Sequence, residues 1–239
     1  MKQRIDSPVR VAILEDHQGI IDGYIYRLSR VPSIEIVGIM YYAEELENFL
    51  RKTPTDLLIM DLMVPISPDN PQSFPALHTV GILAKKYPRL RILVVSMLAE
   101  TAIFKSLVNT GIAGYILKDD YKAIQQLAEI VEVVARGGAY FSNHVYTLIY
   151  DQEQSKTQPH LSPRQLEVLS LLAAYPFATT EELASKIGIA ASTLRNTLSE
   201  LYRRLNVPNR LAALAQAQKL GLVPRPLEKG FNQEQEQHP

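Results

Sequence analysis

The feature that most constrains the fold is an alternation of short apolar segments with longer segments of helical character. The apolar segments are VRVAIL (Val9–Leu14), IEIVGI (Ile34–Ile39), DLLIM (Asp56–Met60), RILVV (Arg91–Val95) and GYIL (Gly114–Leu117). Nearly continuous apolar strands joined by helix-length connections are typical of a parallel sheet that is buried on both faces. The pattern therefore predicts a doubly wound α/β unit with a five-stranded parallel sheet.

Composition narrows the class of protein. The chain contains no Cys, which excludes disulfides and Cys-ligated zinc or iron–sulfur sites and suits a reducing compartment. No apolar run approaches the roughly 20 residues that a membrane-spanning helix needs, and the N-terminal residues lack the apolar region of a signal peptide. We therefore expect a cytoplasmic protein without a membrane partner.

A change in composition divides the chain into two units. The stretch YDQEQSKTQPH is polar and lacks periodicity, as linkers do. Residues 160–223 carry seven Lys or Arg against four Glu although the whole chain has no net charge, which indicates that the second unit meets a polyanion. The predicted organisation is an α/β unit at 1–141, a linker with room for a short helix at 142–160, a helical unit at 161–223, and a disordered Pro- and Gln-rich tail at 224–239.

Polar residues follow four of the five predicted strands. Glu15 and Asp16 follow the first strand, Asp61 the third, Ser96 the fourth and Lys118 the fifth. In an open parallel sheet, ligands bind outside the carboxyl ends of the strands. If the first and third strands are neighbours, three carboxylates converge there and need a cation. Oxygen ligands of this kind suit Mg²⁺.

Such a site has the parts for phosphoryl transfer to Asp61. A carboxylate oxygen is a nucleophile, while Mg²⁺ and the Lys118 ammonium neutralise the charge that builds up on the phosphoryl group. The Ser96 hydroxyl has the chemistry to donate to a phosphoryl oxygen. Alternatively, Glu15 and Asp16 serve only as anions at the N-terminus of the helix that starts near Gln18. That alternative leaves Asp61 and Lys118 unexplained.

The same segments resemble the receiver domain of two-component response regulators. The resemblance rests on ILEDH, MDLMVP, VVSML and GYILKDD and covers about 9–136. It implies a sensor histidine kinase as the phosphoryl donor and Asp61 as the phosphoacceptor. It further implies Mg²⁺ ligands at Glu15, Asp16, Asp61 and the backbone carbonyl of Met63, phosphate partners at Ser96 and Lys118, and a switch aromatic at Tyr115.

One segment departs from the receiver pattern. After Pro65 the chain runs through ISPDNPQSFPALH (residues 66–78), which is several residues longer than the usual connection and has three Pro and no Gly. Because this predicted loop adjoins Asp61, we expect it to alter kinase access, phosphoryl lifetime or the choice of partner.

The second unit has the sequence pattern of a helix-turn-helix. Thr179 and Glu182 form a capping box for a first helix, and Gly188 ends that helix. In the next helix, leucines at 194, 198, 201 and 205 form one apolar stripe. Its polar side carries Asn196, Ser199 and Arg203, flanked by Arg195 and Glu200. An anchored helix with such a face fits the DNA major groove, although a plain amphipathic helix has the same pattern.

Residues 161–223 resemble the DNA-binding domain of the LuxR/NarL class, through LSPRQLEVLSLLA, LNVPNR and AALAQAQKLGLV. The resemblance implies promoter DNA as a partner, RNA polymerase as a candidate partner, and a homodimer formed through the last helix at Leu211, Leu214 and Leu220. The implied DNA contacts are Thr193, Arg195, Asn196, Thr197 and Ser199 on the recognition helix, with Arg203, Arg204 and Arg210 on phosphates. Ser199 and Glu200 make this face less basic than is usual, so we expect modest DNA affinity that depends on dimerisation.

These observations predict a DNA-binding response regulator that is switched by phosphorylation of Asp61, and not an enzyme. One alternative is a phosphorylation-independent regulator whose receiver serves for dimerisation or partner binding. The other is an aspartyl-phosphate phosphohydrolase. Such enzymes place a second Asp two residues after the nucleophile, and this chain has Met63 there.

Overall fold

A parallel sheet forms the centre of the first unit. The computed structural model describes residues 7–142 and 161–223. The sheet contains β1 (Val9–Leu14), β2 (Ile34–Met40), β3 (Leu57–Met60), β6 (Arg91–Ser96), β7 (Gly114–Leu117) and β8 (Tyr140–Phe141). The strands lie in the order β2-β1-β3-β6-β7-β8, and every pairing is parallel. The predicted doubly wound fold is confirmed, and β1 and β3 are neighbours as the predicted site requires.

Helices cover both faces of this sheet. The helices are α1 (Gln18–Leu28), α2 (Glu45–Lys52), α3 (Ala76–Lys86), α4 (Thr101–Asn109), α5 (Tyr121–Gln125) and α6 (Leu127–Ala135). Alternate residues of β1 enter two separate apolar clusters, as the twofold period of a strand requires. Val11 and Ile13 pack with α1, α5 and α6, whereas Ala12 and Leu14 pack with α2, α3 and α4.

The predicted count of five strands is wrong by one. Tyr140 and Phe141 add the short strand β8 beside β7 at the edge of the sheet. Two residues are too few to show a period, which is why the sequence pattern missed this strand. Gly114 in β7 permits the pairing, because a Cβ there would lie 2.7 Å from the backbone oxygen of Tyr140.

The segment after Pro65 is a hairpin and not the predicted loop. Strand β4 (Pro65–Ser67) pairs antiparallel with β5 (Asn70–Ser73), and α3 follows at Ala76. Pro68 and Asp69 form the two-residue turn between the strands. Pro fixes φ at a negative value, which suits the first central position of a type I or type II turn. The Pro-rich segment is therefore an ordered element.

Four helices form the second unit, as predicted. They are α7 (Pro163–Ala174), α8 (Thr180–Lys186), α9 (Ala191–Leu205) and α10 (Arg210–Lys219). The capping box of Ser162 with Gln165 and that of Thr179 with Glu182 are both present. Gly188 adopts a positive φ of 66° just after α8. The four leucines of α9 are all buried, as their stripe predicts.

Two predicted segments lie outside the described residues. They are the linker at 142–160, except for Ser142, and the tail at 224–239. Among the helices that the structure describes, none is both long and apolar enough to cross a bilayer.

The close approach of β8 to Gly114 makes a prediction about stability. We expect Gly114→Ala to lower the free energy of unfolding by about 1–3 kcal/mol, because the added Cβ forces the backbone of β8 and the Leu93 side chain apart. Urea unfolding of the full chain measures the change. The matched control is Gly81→Ala in α3, where nothing lies within 4 Å of an added Cβ. An unchanged stability in Gly114→Ala would show that β8 does not depend on this contact.

Candidate functional site

The carboxyl ends of β1, β3 and β7 bring two acids and one lysine into contact. Glu15 follows β1, Asp61 follows β3 and Lys118 follows β7. The Lys118 Nζ lies 2.8 Å from Asp61 Oδ2, to which it donates a hydrogen bond, and 2.7 Å from Glu15 Oε2. The order of the strands thus produces the cluster that their polar end residues predict.

These three groups are withdrawn from water. The exposed fractions of the side chains are 1% for Glu15, 3% for Asp61 and 9% for Lys118. Burial raises the pKa of Glu15, and the nearby Asp61 charge adds to that effect while Lys118 opposes it. Burial acts to lower the pKa of Lys118, but Asp61 and Glu15 outweigh it, so the pKa is raised. The ammonium therefore stays charged between the two acids.

Asp16 and His17 extend the cluster toward solvent. The Nδ1 of His17 lies 3.0 Å from Asp16 Oδ1 and 3.3 Å from Glu15 Oε1, and the His17 backbone N–H donates to the same Glu15 oxygen. The ligand atoms of Glu15, Asp16 and His17 all lie within 4.8 Å of one another. His17 is the N-cap residue of α1, and its ring contacts both acids.

The donor set fits a hard divalent cation. Glu15, Asp16 and Asp61 offer carboxylate oxygens, and Met63 is the predicted source of a backbone carbonyl. The Met63 carbonyl accepts a long hydrogen bond of 3.4 Å from Ser73 Oγ and has a second lone pair for another partner. Glu15 and Asp61 contact the one ammonium and Asp16 lies beside Glu15, so the three acids leave an excess of negative charge that Mg²⁺ would balance.

Ser96 and Tyr115 both contact the backbone of Leu98, in the loop after β6. Ser96 is fully buried, and its Oγ lies 3.5 Å from the backbone nitrogen of Leu98. The Tyr115 hydroxyl donates a 2.6 Å hydrogen bond to the Leu98 carbonyl, and its ring packs edge-on against Phe104. Burial raises the pKa of Tyr115, so the hydroxyl keeps its proton. The two predicted switch residues therefore hold one backbone segment.

The polar side of α9 faces solvent, but its cations are already paired. Arg203 makes two hydrogen bonds to Glu200, at 3.0 and 2.7 Å, and Arg204 makes one at 2.9 Å. Arg195 pairs with Glu181 of α8 at 3.1 Å. The hydrogen bonds from Arg203 and Arg204 lower the pKa of Glu200 to about 2. DNA phosphates would have to compete with these carboxylates.

The remaining predicted DNA contacts differ in their surroundings. Thr193, Asn196 and Ser199 are exposed, and the hydroxyls of Thr197 and Ser199 donate to backbone carbonyls four residues earlier. Arg210 donates to the carbonyls of Ala178 and Tyr175, at 2.5 and 2.6 Å. Arg210 thus ties α10 to the segment between α7 and α8, and it would have to release these carbonyls to bind a phosphate.

The buried ion pairs make a prediction about stability. We expect Lys118→Met to lower the free energy of unfolding by about 3 kcal/mol, because it leaves two buried carboxylates without their cation. Adding Asp61→Asn to this variant removes one of the charges and recovers part of the loss.

Urea unfolding at neutral pH without Mg²⁺ measures these changes. Lys86→Met is the matched control, because Lys86 pairs with Glu47 on the surface and its loss should leave stability unchanged. Equal stabilities of Lys118→Met and the parent chain would contradict the role of Lys118 as the neutralising cation.

Comparison with known proteins gives a family match for the second unit and relatives over most of the chain. The family of bacterial regulatory proteins called the luxR family matches residues 159–217. The transcriptional regulatory protein MctR of Rhizobium johnstonii is 25% identical over 215 residues, which are 90% of this chain and 95% of that protein. The nitrate/nitrite response regulator protein NarP of Escherichia coli is 25% identical over 211 residues, which are 87% and 93% of the two chains.

A solved structure supports the same fold. It is RcsB of Salmonella enterica bound to promoter rprA in the presence of the phosphomimetic BeF3⁻, with 22% identity, a TM-score of 0.64, and coverage of 88% of this chain and 98% of that one. At this identity the likeness establishes the architecture alone. The first unit thus has a receiver-like fold, residues 159–217 match the luxR family, and the sequence relatives are named as transcription and response regulators.

Proposed function

We propose that this chain controls transcription as a DNA-binding response regulator that accepts a phosphoryl group on Asp61 from a sensor histidine kinase. The observation that carries the proposal is the buried contact of Lys118 with both Asp61 and Glu15 at one edge of the sheet. A structural ion pair needs one acid, whereas Lys118 contacts two buried acids and a third acid, Asp16, lies beside Glu15. That excess is suited to binding a metal and a phosphoryl group.

Each residue of the pocket has a separate role in phosphoryl transfer. An Asp61 carboxylate oxygen attacks the phosphorus of the kinase phosphohistidine, so an O–P bond forms while the P–N bond breaks and the imidazole leaves. Lys118 then pairs with a phosphoryl oxygen. Glu15, Asp16, Asp61 and the Met63 carbonyl would hold Mg²⁺, which neutralises charge on the phosphoryl oxygens when it is bound.

Ser96 and Tyr115 would transmit the effect of phosphorylation to the rest of the chain. If the Ser96 hydroxyl turns to a phosphoryl oxygen, its contact with the Leu98 backbone is lost. Tyr115 holds the carbonyl of the same residue. Phosphorylation therefore acts on a loop that both side chains restrain. A phosphorylation-independent regulator is not favoured, because such a protein does not need this complete set of groups.

The second unit would bind promoter DNA through α9. Asn196 and Ser199 are exposed and can bond to base edges, while Arg195, Arg203 and Arg204 can reach phosphates. Homodimerisation through α10 fits the exposure of Leu211 on that helix. The relatives are named as transcription regulators, and we place this chain with them in the cytoplasm, with RNA polymerase as a candidate partner and no substrate turnover.

Phosphorylation of Asp61 has a direct test. Incubation with a small phosphodonor and Mg²⁺ should add one phosphoryl group to the parent chain, because Asp61 is the nucleophile, and none to Asp61→Asn. Intact mass measures the uptake. Asp69→Asn, in the exposed turn of the hairpin, is the matched control and should be phosphorylated like the parent. Equal phosphoryl uptake by Asp61→Asn and the parent would contradict the proposal.

The paired arginines of α9 give a second test. We expect Glu200→Gln to bind DNA more tightly, because Arg203 and Arg204 become free to contact phosphates. The slope of log affinity against log salt should steepen by about 1–2, which corresponds to one or two added phosphate contacts.

The probe is a duplex enriched from a random pool, titrated at several stated salt concentrations. Glu129→Gln, on the exposed side of α6, changes the net charge equally and should leave both affinity and slope unchanged. If the two variants behave alike, Glu200 does not compete with DNA for these arginines.

A further inference from the structure

The backbone after Asp61 leads directly into the β4–β5 hairpin, and the hairpin holds it in place. The Val64 carbonyl accepts a 3.1 Å hydrogen bond from the backbone N–H of Phe74, which follows β5. Pro65, at the start of β4, pairs with Ser73 at the end of β5. The short segment between the phosphoacceptor and the hairpin is therefore tied to both strands.

The hairpin is itself fixed to the rest of the first unit. The backbone N–H groups of Ala43 and Glu44, before α2, donate to the carbonyls of Pro65 and Ile66 at 3.0 Å each. Phe74 is buried in the apolar cluster on that face of the sheet. Since an isolated two-stranded hairpin is marginally stable at best, these contacts give the hairpin the support that it needs.

The Met63 carbonyl has a different kind of partner. It accepts its hydrogen bond from the side-chain hydroxyl of Ser73, at 3.4 Å, whereas the carbonyls of the next three residues accept from backbone N–H groups. Among the described residues, no other group donates to the Met63 carbonyl. One substitution at Ser73 can therefore remove this bond and leave the backbone bonds of the hairpin in place.

Met63 also differs from its neighbours in its proposed role, because its carbonyl is a proposed ligand of Mg²⁺. This ion requires a nearly octahedral set of oxygens at about 2.0–2.1 Å, whereas Ca²⁺ accepts longer and less regular contacts. A carbonyl oxygen has two lone pairs, so it can accept from Ser73 and still bind a metal. Groups that orient a metal ligand contribute to affinity, and their loss typically lowers it about 10–100-fold.

The other proposed ligands are oriented by groups outside the hairpin. Lys118 contacts the carboxylates of both Glu15 and Asp61, and the backbone N–H of Leu62 donates to the second oxygen of Asp61 at 2.6 Å. The Met63 carbonyl is the proposed ligand whose hydrogen bond comes from the hairpin. A defect at that bond should thus affect metal binding without removing a carboxylate from the pocket.

We propose that Ser73 is a positioning residue for the magnesium site, because its hydroxyl fixes the orientation of the Met63 carbonyl and the hairpin in turn fixes Ser73. The inference rests on the metal site of the proposed function. It gives a role in metal binding to the segment at residues 66–78, which departs from the receiver pattern.

Metal binding by Ser73→Ala tests the role of the hydroxyl. The full chain without a phosphodonor is titrated with Mn²⁺, whose free ion is measured by electron paramagnetic resonance, and Mg²⁺ or Ca²⁺ then displaces the bound Mn²⁺. We expect the Kd for Mg²⁺ to rise roughly tenfold, at the low end of such effects because the bond is long. The Kd for Ca²⁺ should rise less than about twofold, because Ca²⁺ tolerates a displaced ligand.

Two further variants separate the hydroxyl from the hairpin as a whole. Ser73→Thr keeps a hydroxyl and should keep the parent affinity for Mg²⁺. Ser67→Ala is the matched control, because the Ser67 hydroxyl accepts a 3.0 Å bond from the Asn70 N–H in the hairpin turn, and it too should keep that affinity. Thermal melting without metal shows that each variant is folded.

Three results would overturn the role of Ser73. The first is a Ser73→Ala chain that binds Mg²⁺ as tightly as the parent. The second is a Ser67→Ala chain that loses as much affinity as Ser73→Ala, since loosening of the hairpin would then explain both. The third is a Ser73→Thr chain that binds Mg²⁺ as weakly as Ser73→Ala.

Phosphoryl uptake gives a separate readout. In Ser73→Ala, the Mg²⁺ concentration for half-maximal rate should rise by the same factor as the Kd, and the rate at saturating Mg²⁺ should equal that of the parent. A lower rate at saturating Mg²⁺ would contradict a role through the metal alone. A parent chain that binds no metal contradicts the metal site of the proposed function, whereas equal affinities of the parent and Ser73→Ala overturn the role of Ser73 and leave that site intact.

Discussion

The contact of Lys118 with Asp61 and Glu15 is the interaction on which the site depends. Two carboxylates that are nearly removed from water would repel each other without a cation between them. The ammonium can reach both because β1, β3 and β7 end at the same edge of a parallel sheet. Apolar residues of similar volume would often stabilise such a position at least as well as a buried ion pair. A role in phosphoryl transfer therefore explains the cluster better than a contribution to stability does.

The same edge connects the pocket to the second unit through two short segments. One runs from Asp61 through Met63 to the hairpin, and the other runs from Ser96 through Leu98 to Glu100. Packed interfaces respond to small shifts by changing between discrete arrangements, because their side chains interlock. A change of partner at Ser96 or at the Met63 carbonyl would thus act on contacts that α7 and α10 share with the receiver.

Sequence reasoning could predict the parts of the fold that have a period. The apolar strands and the leucine stripe of α9 are long enough to show their spacing, and the polar residues after each strand locate the site once the order of the strands is known. Strand β8 has two residues and depends on Gly114, so it has no pattern to find. The hairpin has no clear strand pattern in the sequence because Pro is rare inside strands, although in a separate two-stranded ribbon Pro71 can lie on the edge, where it has no hydrogen bond to lose.

Side-chain partners were the less predictable part of the site. The spacing of Glu200 with Arg203 and Arg204 is the i,i+3 and i,i+4 spacing of helix ion pairs, so this signal was present in the sequence. The pairs of Arg195 with Glu181 and of His78 with Glu167 join residues of different helices and depend on how those helices pack. The contacts of His17 with Glu15 and Asp16 join near neighbours in the chain and depend on the turn that follows β1.

The arginine pairs of α9 and the contacts of α7 with the receiver both affect how strongly a dimer can bind DNA. Paired arginines weaken the attraction of one α9 for phosphates, so a single helix-turn-helix gains little from binding alone. Two linked units recover affinity because the second binding event is intramolecular, but only when the geometry lets both engage together. Within the chain, α7 contacts β5, α3 and α4 of the receiver. Weak individual contacts thus make DNA binding depend on how the two helix-turn-helix units are oriented.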